Sequence, residues 1–478
     1  MRIPSQESQG VPVRIRESRD RHRASVTPGE ETMLEWYIGL ATTLLIVLIY
    51  FAYFFKFNWI KDVRNESRTR TNGGVYAKSR NRKVGKLPPV YPNGWFALLE
   101  SSQIKKGQVE HVSALGENFA VFRTEKGVVN ILDAYCPHLG ANMGESGRVK
   151  GDCLECPFHN WTFRGEDGCC DNIPYTEKVP IIARAKAWKC REVNNIIFVW
   201  YNAESAEPDW QPQPHTHISN GTWRYQGRNE FFISCHVQEI AENGADIAHL
   251  SAVHGPVIFL SGNIPWLAQH TWTTSVPWRP HNSYSETNAD KEPDMITKKA
   301  EVCVKVNGEL VDYPIAGNGD EKNRHHFAVT KNQGVGRREK HRASLQMRHS
   351  LTLLGRFTVL VIDVRVEQIG PGYVEMSIDT SLGSMCILQT VTPVEPMLQR
   401  VTHQIFSPPL LAPYANIIFL GECVMFERDV VIWNHKRYEQ HPMLVSEERA
   451  IREYRRWYSQ FYSTHSPTYQ MAVENLQW

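Results

Sequence analysis

Several features are scarce in this 478-residue chain, and each scarcity removes a class of protein. Positive charge is not in excess: 53 Lys and Arg stand against 51 Asp and Glu. A dedicated nucleic-acid binder, which carries a clear basic excess, is thereby excluded. Cysteine is sparse, with ten residues in all, too few for a disulfide scaffold and ordinary for an intracellular protein. What is plentiful is aromatic: 14 Trp, 18 Tyr and 19 Phe, which suits a packed chain rather than a disordered one. The length predicts two or three domains.

Long apolar runs are also rare, and one stands out. Residues 1–33 hold Arg14, Arg16, Arg19, Arg21 and Arg23 with few apolar neighbours, and read as a disordered basic leader. Trp36–Phe55 then follows without a charge. Its twenty residues, as helix, span roughly 30 Å, the thickness of a bilayer core. We therefore expect a transmembrane helix over 34–57, with Trp36, Tyr37 and Trp59 as interfacial aromatics. The run is too long and too far from Met1 for a cleaved signal peptide; a buried core helix is the alternative. Residues 58–90 are polar and basic, a linker suited to anionic headgroups. Basic residues on both sides of the run tip the C-terminal part only weakly towards the cytosol.

From residue 91 to 207, short β-type runs (WFALLE, FAVFRT, VVNILD, NIIFVWYN) separated by turns predict a small antiparallel β domain. Two of its loops carry metal-ligand types: Cys136-Pro137-His138 and, after seventeen intervening residues, Cys156-Pro157-Phe158-His159. Two thiolates suit one iron of a [2Fe–2S] cluster and two imidazoles the other. A Cys₂His₂ zinc site uses the same ligands, but zinc fingers usually pair Cys with Cys and His with His. Here each loop supplies one of each, the Rieske pattern. Respiratory Rieske proteins add a second Cys per loop; Ala141 and Phe158 occupy those positions, so this resembles the unbraced oxygenase form. Gly140 and Gly144 permit a tight loop, and Trp161 follows the second His, although Asn160 replaces a commoner Gly. Asn160-Trp161-Thr162 is formally a glycosylation sequon. A glycan there would obstruct the cluster loop, so sequon and free thiolates both favour the cytosolic side. The other cysteines read as small buried hydrophobes, with Cys153, Cys169 and Cys170 close in sequence to the second cluster loop.

Residues 208–478 form the expected second domain, with an insertion at about 280–349 that is rich in Asn, Lys, Glu and Gly. Asn243, Asp246 and His249 recur at i, i+3, i+6, which a helix would align on one face. His254 lies five residues on, roughly 140° around, so the two imidazoles converge only if the helix ends or distorts between them. Gly255-Pro256 is the expected ending. Two imidazoles and a carboxylate on one face of Fe(II) leave positions open for O₂. The carboxylate candidates are Asp363, Asp379 and Asp429, with Glu427 as an outsider. No flavin or nicotinamide fingerprint occurs, and Gly334-Val335-Gly336 lacks a phosphate-cradling continuation. Electrons must then come from a separate reductase.

The segment Phe426–Lys436 resembles the C-terminal helix of ketosteroid hydroxylases and related Rieske monooxygenases, where an Asp shortly before Ile-Trp is the third iron ligand. That resemblance favours Asp429. The anchor, Rieske loops, iron motif and Gln368–Gly372 (QIGPG) together resemble the animal cholesterol 7-desaturases, the Neverland family, over roughly Tyr91–Trp433. The resemblance implies an α+β architecture, with an antiparallel β Rieske domain and a helix-grip-like catalytic domain behind a membrane helix. It implies [2Fe–2S] held by Cys136, His138, Cys156 and His159, and Fe(II) held by His249, His254 and Asp429. It implies NAD(P)H-derived electrons and O₂, a homotrimer in which Asp246 joins His249 to His159 of the adjacent subunit, and cholesterol as substrate in steroid hormone biosynthesis. The endoplasmic reticulum follows from that substrate. A Rieske monooxygenase hydroxylating or demethylating another apolar ring, or an electron carrier without mononuclear iron, are the rival readings.

Overall fold

The structure, a computed structural model, describes residues 28–61, 83–255, 267–281, 301–306, 309–314 and 339–475, the strands at 301–306 and 309–314 as backbone alone. The leader, most of the linker and most of the insertion, Gly334–Gly336 included, lie outside the described residues.

The chain divides into two compact units, Met1–Phe55 and Lys56–Trp478. The first contains α1 (Pro28–Phe54), opened by a proline whose missing N–H is one the first helical turn leaves unbonded anyway. Its segment Glu35–Phe54 is long and apolar enough to cross a membrane. The hydroxyls of Thr42 and Thr43 donate to the carbonyls of Ile38 and Gly39, both at 2.8 Å, so neither polar group needs water. The helix stops at Phe54, short of the expected 57. Phe57–Lys61 is instead strand β1 of the second unit. Trp59 is not an interfacial anchor: its Nε1 donates to Glu427 at 2.8 Å and its ring stacks on Phe57. The alternation in Phe-Asn-Trp-Ile-Lys is a strand signal that the adjoining apolar run obscures.

In the second unit, β2 (Gly94–Glu100), β3 (Val109–Ala114), β4 (Glu117–Arg123) and β5 (Val129–Asp133) match the expected runs. β6 (Arg148–Lys150), β7 (Cys153–Glu155), β8 (Thr162–Arg164) and β9 (Cys170–Asn172) form a small antiparallel meander. β10 (Ala187–Trp188), β11 (Cys190–Val193) and β12 (Ile196–Tyr201) complete two further sheets, ordered β10-β5-β4-β3 and β11-β12-β2. Phe96, Phe119, Val121, Ile131 and Val199 fill the space between them.

An eight-stranded sheet carries the rest, in the order β1-β13-β21-β20-β19-β18-β17-β14. Its strands are β13 (Arg224–Ile233), β14 (Ala268–Pro280), β17 (Arg342–Leu353), β18 (Phe357–Ile369), β19 (Tyr373–Thr380), β20 (Gly383–Glu395) and β21 (Leu398–Ser407). β1 runs parallel to β13 and the other neighbours are antiparallel. A hairpin of β15 (Glu301–Val306) and β16 (Glu309–Pro314) stands within the insertion. β17 begins at Arg342, so the final stretch of the expected insertion is strand within the main sheet.

Four helices follow the sheet's needs: α2 (Val237–Glu242), α3 (Ile247–His254), α4 (Ala412–Trp433) and α5 (Arg449–Tyr458). α4 is apolar enough to pass for a second membrane span. However, Ala412, Ala415, Phe419, Cys423, Phe426, Val430 and Trp433 recur at spacings of three and four and are buried. They pack on Phe231, Ile387, Val401 and Ile405 of the sheet, and burying Phe419 alone is worth roughly 1.5–3 kcal/mol. The expected boundary near residue 207 is a packed seam. Thr392 Oγ1 and the Arg400 guanidinium donate to the Ala97 carbonyl at 2.7 and 3.0 Å, and Trp95, Phe198, Tyr373 and Leu388 share one core across it. His215 and His217, between the two regions, pack against Trp223.

Candidate metal centres and their cavity

The two cluster loops have the same internal frame. In the first, Cys136 N–H donates to Ala141 O and Gly140 N–H to Cys136 O; in the second, Cys156 N–H donates to Trp161 O and Asn160 N–H to Cys156 O. Gly140 and Asn160 occupy equivalent positions, with φ of +75° and +58°. Both need the left-handed region, and Asn is the side chain that tolerates it best after Gly. That accounts for the departure at Asn160.

The loops bring Cys136 and Cys156 together in the core and hold the His138 and His159 rings 4.7 Å apart at its edge. Both cysteines are free thiols. Burial pushes Cys136 up to about 11, the adjacent Cys156 adding to the effect, and a ferric iron is the cation that would keep both as thiolates. His138 stacks on Trp161 at 4.5 Å, and its buried Nδ1 has no hydrogen-bond partner among the described residues. A [2Fe–2S] group fits this donor set: two buried sulfurs inside, two imidazoles outside. Cys153, Cys169 and Cys170 lie on the meander, with Arg184 donating to Cys169 Sγ at 2.8 Å.

The second constellation departs from the single helix expected over Asn243–His249. α2 ends at Glu242, Asn243–Ala245 turn, and α3 starts afresh at Ile247. Asp246 is the reason: its carboxylate caps α3 by accepting from His249 N–H at 3.3 Å. α3 then continues unbroken through His254, so the helix does not end between the histidines. The imidazoles still converge, with ring centroids 5.4 Å apart. His249 Nδ1–H donates to the Asp246 carbonyl, which turns Nε2 towards the centre.

Asp429 meets them from α4. His254 Nε2 and Asp429 Oδ2 are 3.3 Å apart, and one donor atom from each of His249, His254 and Asp429 lies within 4.8 Å of the others. His254 is 3% and Asp429 7% exposed. Two contacts hold the helices in place: Arg428 donates to Val253 O at 3.2 Å, and Asn434 Oδ1 accepts from Ser234 N–H at 2.8 Å. The other carboxylate candidates are engaged elsewhere. Asp363 pairs with Arg348, Asp379 with Arg365, and Glu427 with Trp59 and Lys61. Two imidazoles and a carboxylate facing one point fit a mononuclear iron with open positions.

These three side chains share an apolar cavity of about 200 Å³, walled by residues such as Trp272, Met347, Val366, Met376 and Phe426. Glu422, also on the wall, was not among the sequence candidates, although it precedes Asp429 by two helical turns. A buried pair also went unread: His270 Nδ1 and His349 Nε2 are 2.7 Å apart, with Trp272 stacked on His349. Burial lowers both, His349 to about 4.

Comparison with known proteins decides the family. Residues 94–183 match the Rieske [2Fe–2S] domain, and residues 199–462 match the 3-ketosteroid 9α-hydroxylase C-terminal domain. The cholesterol 7-desaturase of Drosophila melanogaster is 38% identical over 90% of this chain and 92% of its own length. This chain belongs to the cholesterol 7-desaturase family. The Xenopus laevis member is 39% identical, covering 87% of this chain and 81% of its own. Among solved structures, dicamba monooxygenase bound to 3,6-dichlorosalicylic acid superposes with a TM-score of 0.52 at 14% identity, over 78% of this chain and 98% of that one. That likeness is one of fold. As a cholesterol 7-desaturase family member the chain is an oxidoreductase with a [2Fe–2S] cluster and a mononuclear iron.

Proposed function

We propose that this chain converts cholesterol to 7-dehydrocholesterol. The observation that carries the reading is its similarity to cholesterol 7-desaturases over nearly its whole length, joined to a two-imidazole, one-carboxylate triad in an apolar cavity. The balanced reaction takes the C7 and C8 hydrogens of the sterol, O₂, NAD(P)H and a proton to the diene, NAD(P)⁺ and two waters. When bound, the cluster supplies single electrons and the iron activates O₂.

The chain's own residues do the rest. Cys136 and Cys156 hold one iron of the cluster, and His138 and His159 hold the other. His249, His254 and Asp429 hold the mononuclear iron, while the cavity wall excludes water and presents apolar surface to a ring system. Asp246 has two tasks: it starts α3, and it links His249 to the partner subunit's His159 within a homotrimer. A separate reductase feeds the cluster. α1 anchors the chain by a single span, which suits a lipid substrate drawn from the same bilayer. The catalytic unit faces the cytosol, a side that the free thiols and the obstruction a glycan at Asn160 would cause both favour, and the membrane is that of the endoplasmic reticulum.

The test is to supply cholesterol to cells expressing the chain and analyse the sterols by mass spectrometry, with His254→Ala as control. The expected result is 7-dehydrocholesterol with the intact chain alone. No new sterol in cells holding folded, cluster-loaded protein would overturn the assignment to cholesterol. A 7-hydroxysterol instead of the diene would overturn desaturation and leave the site.

A further inference from the structure

The cavity is apolar, yet the side chains of Asn243, Ser344, Gln389 of β20 and Glu422 of α4 line it with no hydrogen-bond partner among the described residues, and of these Glu422 alone carries a carboxyl. The Glu422 side chain is half-buried and lines the cavity. A carboxyl in such a place is costly unless something supplies its hydrogen bond. It does not belong to the metal triad, whose donor atoms converge without it. His254 and Asp429 both act on it electrostatically.

Position gives the missing partner a distance. Glu422 and Asp429 are seven residues apart on one helix, so they share a face and stand roughly 10 Å apart along the axis. In a 3-hydroxysterol, five bonds separate the hydroxyl oxygen from C7, roughly 6 Å at about 1.5 Å per bond with tetrahedral angles. The remainder is the few ångströms that separate a reacting carbon from the groups acting on it.

We propose that Glu422, assisted by Gln389, receives the free hydroxyl of the substrate and sets which carbon reaches the triad. The inference rests on the sterol reading above. Either form of the carboxyl serves: ionised, it accepts the hydroxyl proton; protonated, it also donates. The cavity then selects a free secondary alcohol at the far end of an apolar ring system, and rejects the same skeleton without it, because the carboxyl would be left unpaired.

The experiment compares cholesterol with 5-cholestene, which lacks only the hydroxyl, using the full-length, metal-loaded chain and its reductase. The wild type is expected to favour cholesterol in kcat/KM by about 10–100-fold. Glu422→Leu should collapse that ratio to within about threefold, and Glu422→Gln, which still donates and accepts, should keep most of it. Binding of the two sterols to the resting protein without O₂ should show the same ratios in Kd, a readout independent of chemistry. An unchanged ratio in Glu422→Leu, or a wild type indifferent to the hydroxyl, would overturn the proposal while leaving the sterol reading intact. A wild type that neither binds nor converts cholesterol would sink both. The cluster's visible absorption shows whether each variant is folded.

Discussion

At the cluster site, Cys136 and Cys156 are buried while His138 and His159 reach the surface beside exposed Leu139 and Phe158. At the iron site, His254 and Asp429 are both enclosed, under α4 and against the eight-stranded sheet. Histidine is thus used both at an exposed edge, with cysteine, and in a buried cavity, with aspartate. An electron carrier must present one side of its cluster to a donor, whereas oxygen chemistry needs water kept out and charges held in a low-dielectric space. The two sites also differ in how they are built. One comes from two short turns, after β5 and between β7 and β8, each closed by its own backbone hydrogen bonds; the other comes from two helices far apart in the chain that the tertiary fold brings together.

The sharpest way to break this contrast is a pair of ligand replacements. His254→Ala should abolish turnover and lose the mononuclear iron while keeping the cluster's absorption, and Cys156→Ser should do the reverse for the metals. Loss of a ligand exceeds the roughly 10–100-fold cost of losing an outer-sphere partner. Iron and sulfide analysis checks both, and loss of the cluster in His254→Ala would show that the sites are not separate. Next in size, Asp246→Ala should retain both metals but slow cluster reoxidation in a single turnover by roughly 100-fold, and cost about 1 kcal/mol through the lost cap. Asp246→Asn keeps a good cap, so it should recover stability and not electron transfer. Recovery of both would reduce Asp246 to a helix start.

Acid separates the regions by stability. Burial depresses His236 to about 4, His349 to about 4 and His403 to about 3, and all three lie in the catalytic region. For a base held neutral in the fold, the unfolded chain binds more protons below its own value near 6.5. The stabilisation is therefore complete above about 6.5 and is lost as pH falls towards about 4, by roughly a few kcal/mol. Urea unfolding followed by tryptophan fluorescence at pH 7 and pH 5 tests this; equal midpoints would refute it. The smallest effect belongs to the cluster loop. Asn160→Gly should change stability by only a few tenths of a kcal/mol, while Asn160→Val should cost about 1–2 kcal/mol at positive φ. Equal stability of the two variants would mean that the backbone there relaxes.

Legibility followed the same division. Cys136, His138, Cys156 and His159 could be read because their spacing encodes two local turns, and WFALLE or NIIFVWYN because strand periodicity is local too. Trp59 was misread because β1 directly follows an apolar helix, and its partner β13 lies far along the chain. The Asn243–His249 face was misread because i, i+3 spacing cannot distinguish a helix interior from a cap. Asp246 becomes a cap because the preceding turn is held in the fold, where Ala245 packs with Trp278, Ala343 and Leu345.

By itself, the sequence determined the two cysteine–histidine loops, the long apolar helix, the pair of histidines on α3 and the family to which the chain belongs. Backbone turns, helical length and hydrophobic periodicity act over a few residues, so they leave their mark in the order of those residues. The tertiary structure decided which carboxylate meets His249 and His254, that α4 is a core helix and not a second span, and that Glu422 lines the cavity with no hydrogen-bond partner among the described residues. Each of these depends on which surfaces an eight-stranded sheet brings within a few ångströms, and distance across a fold has no local signature.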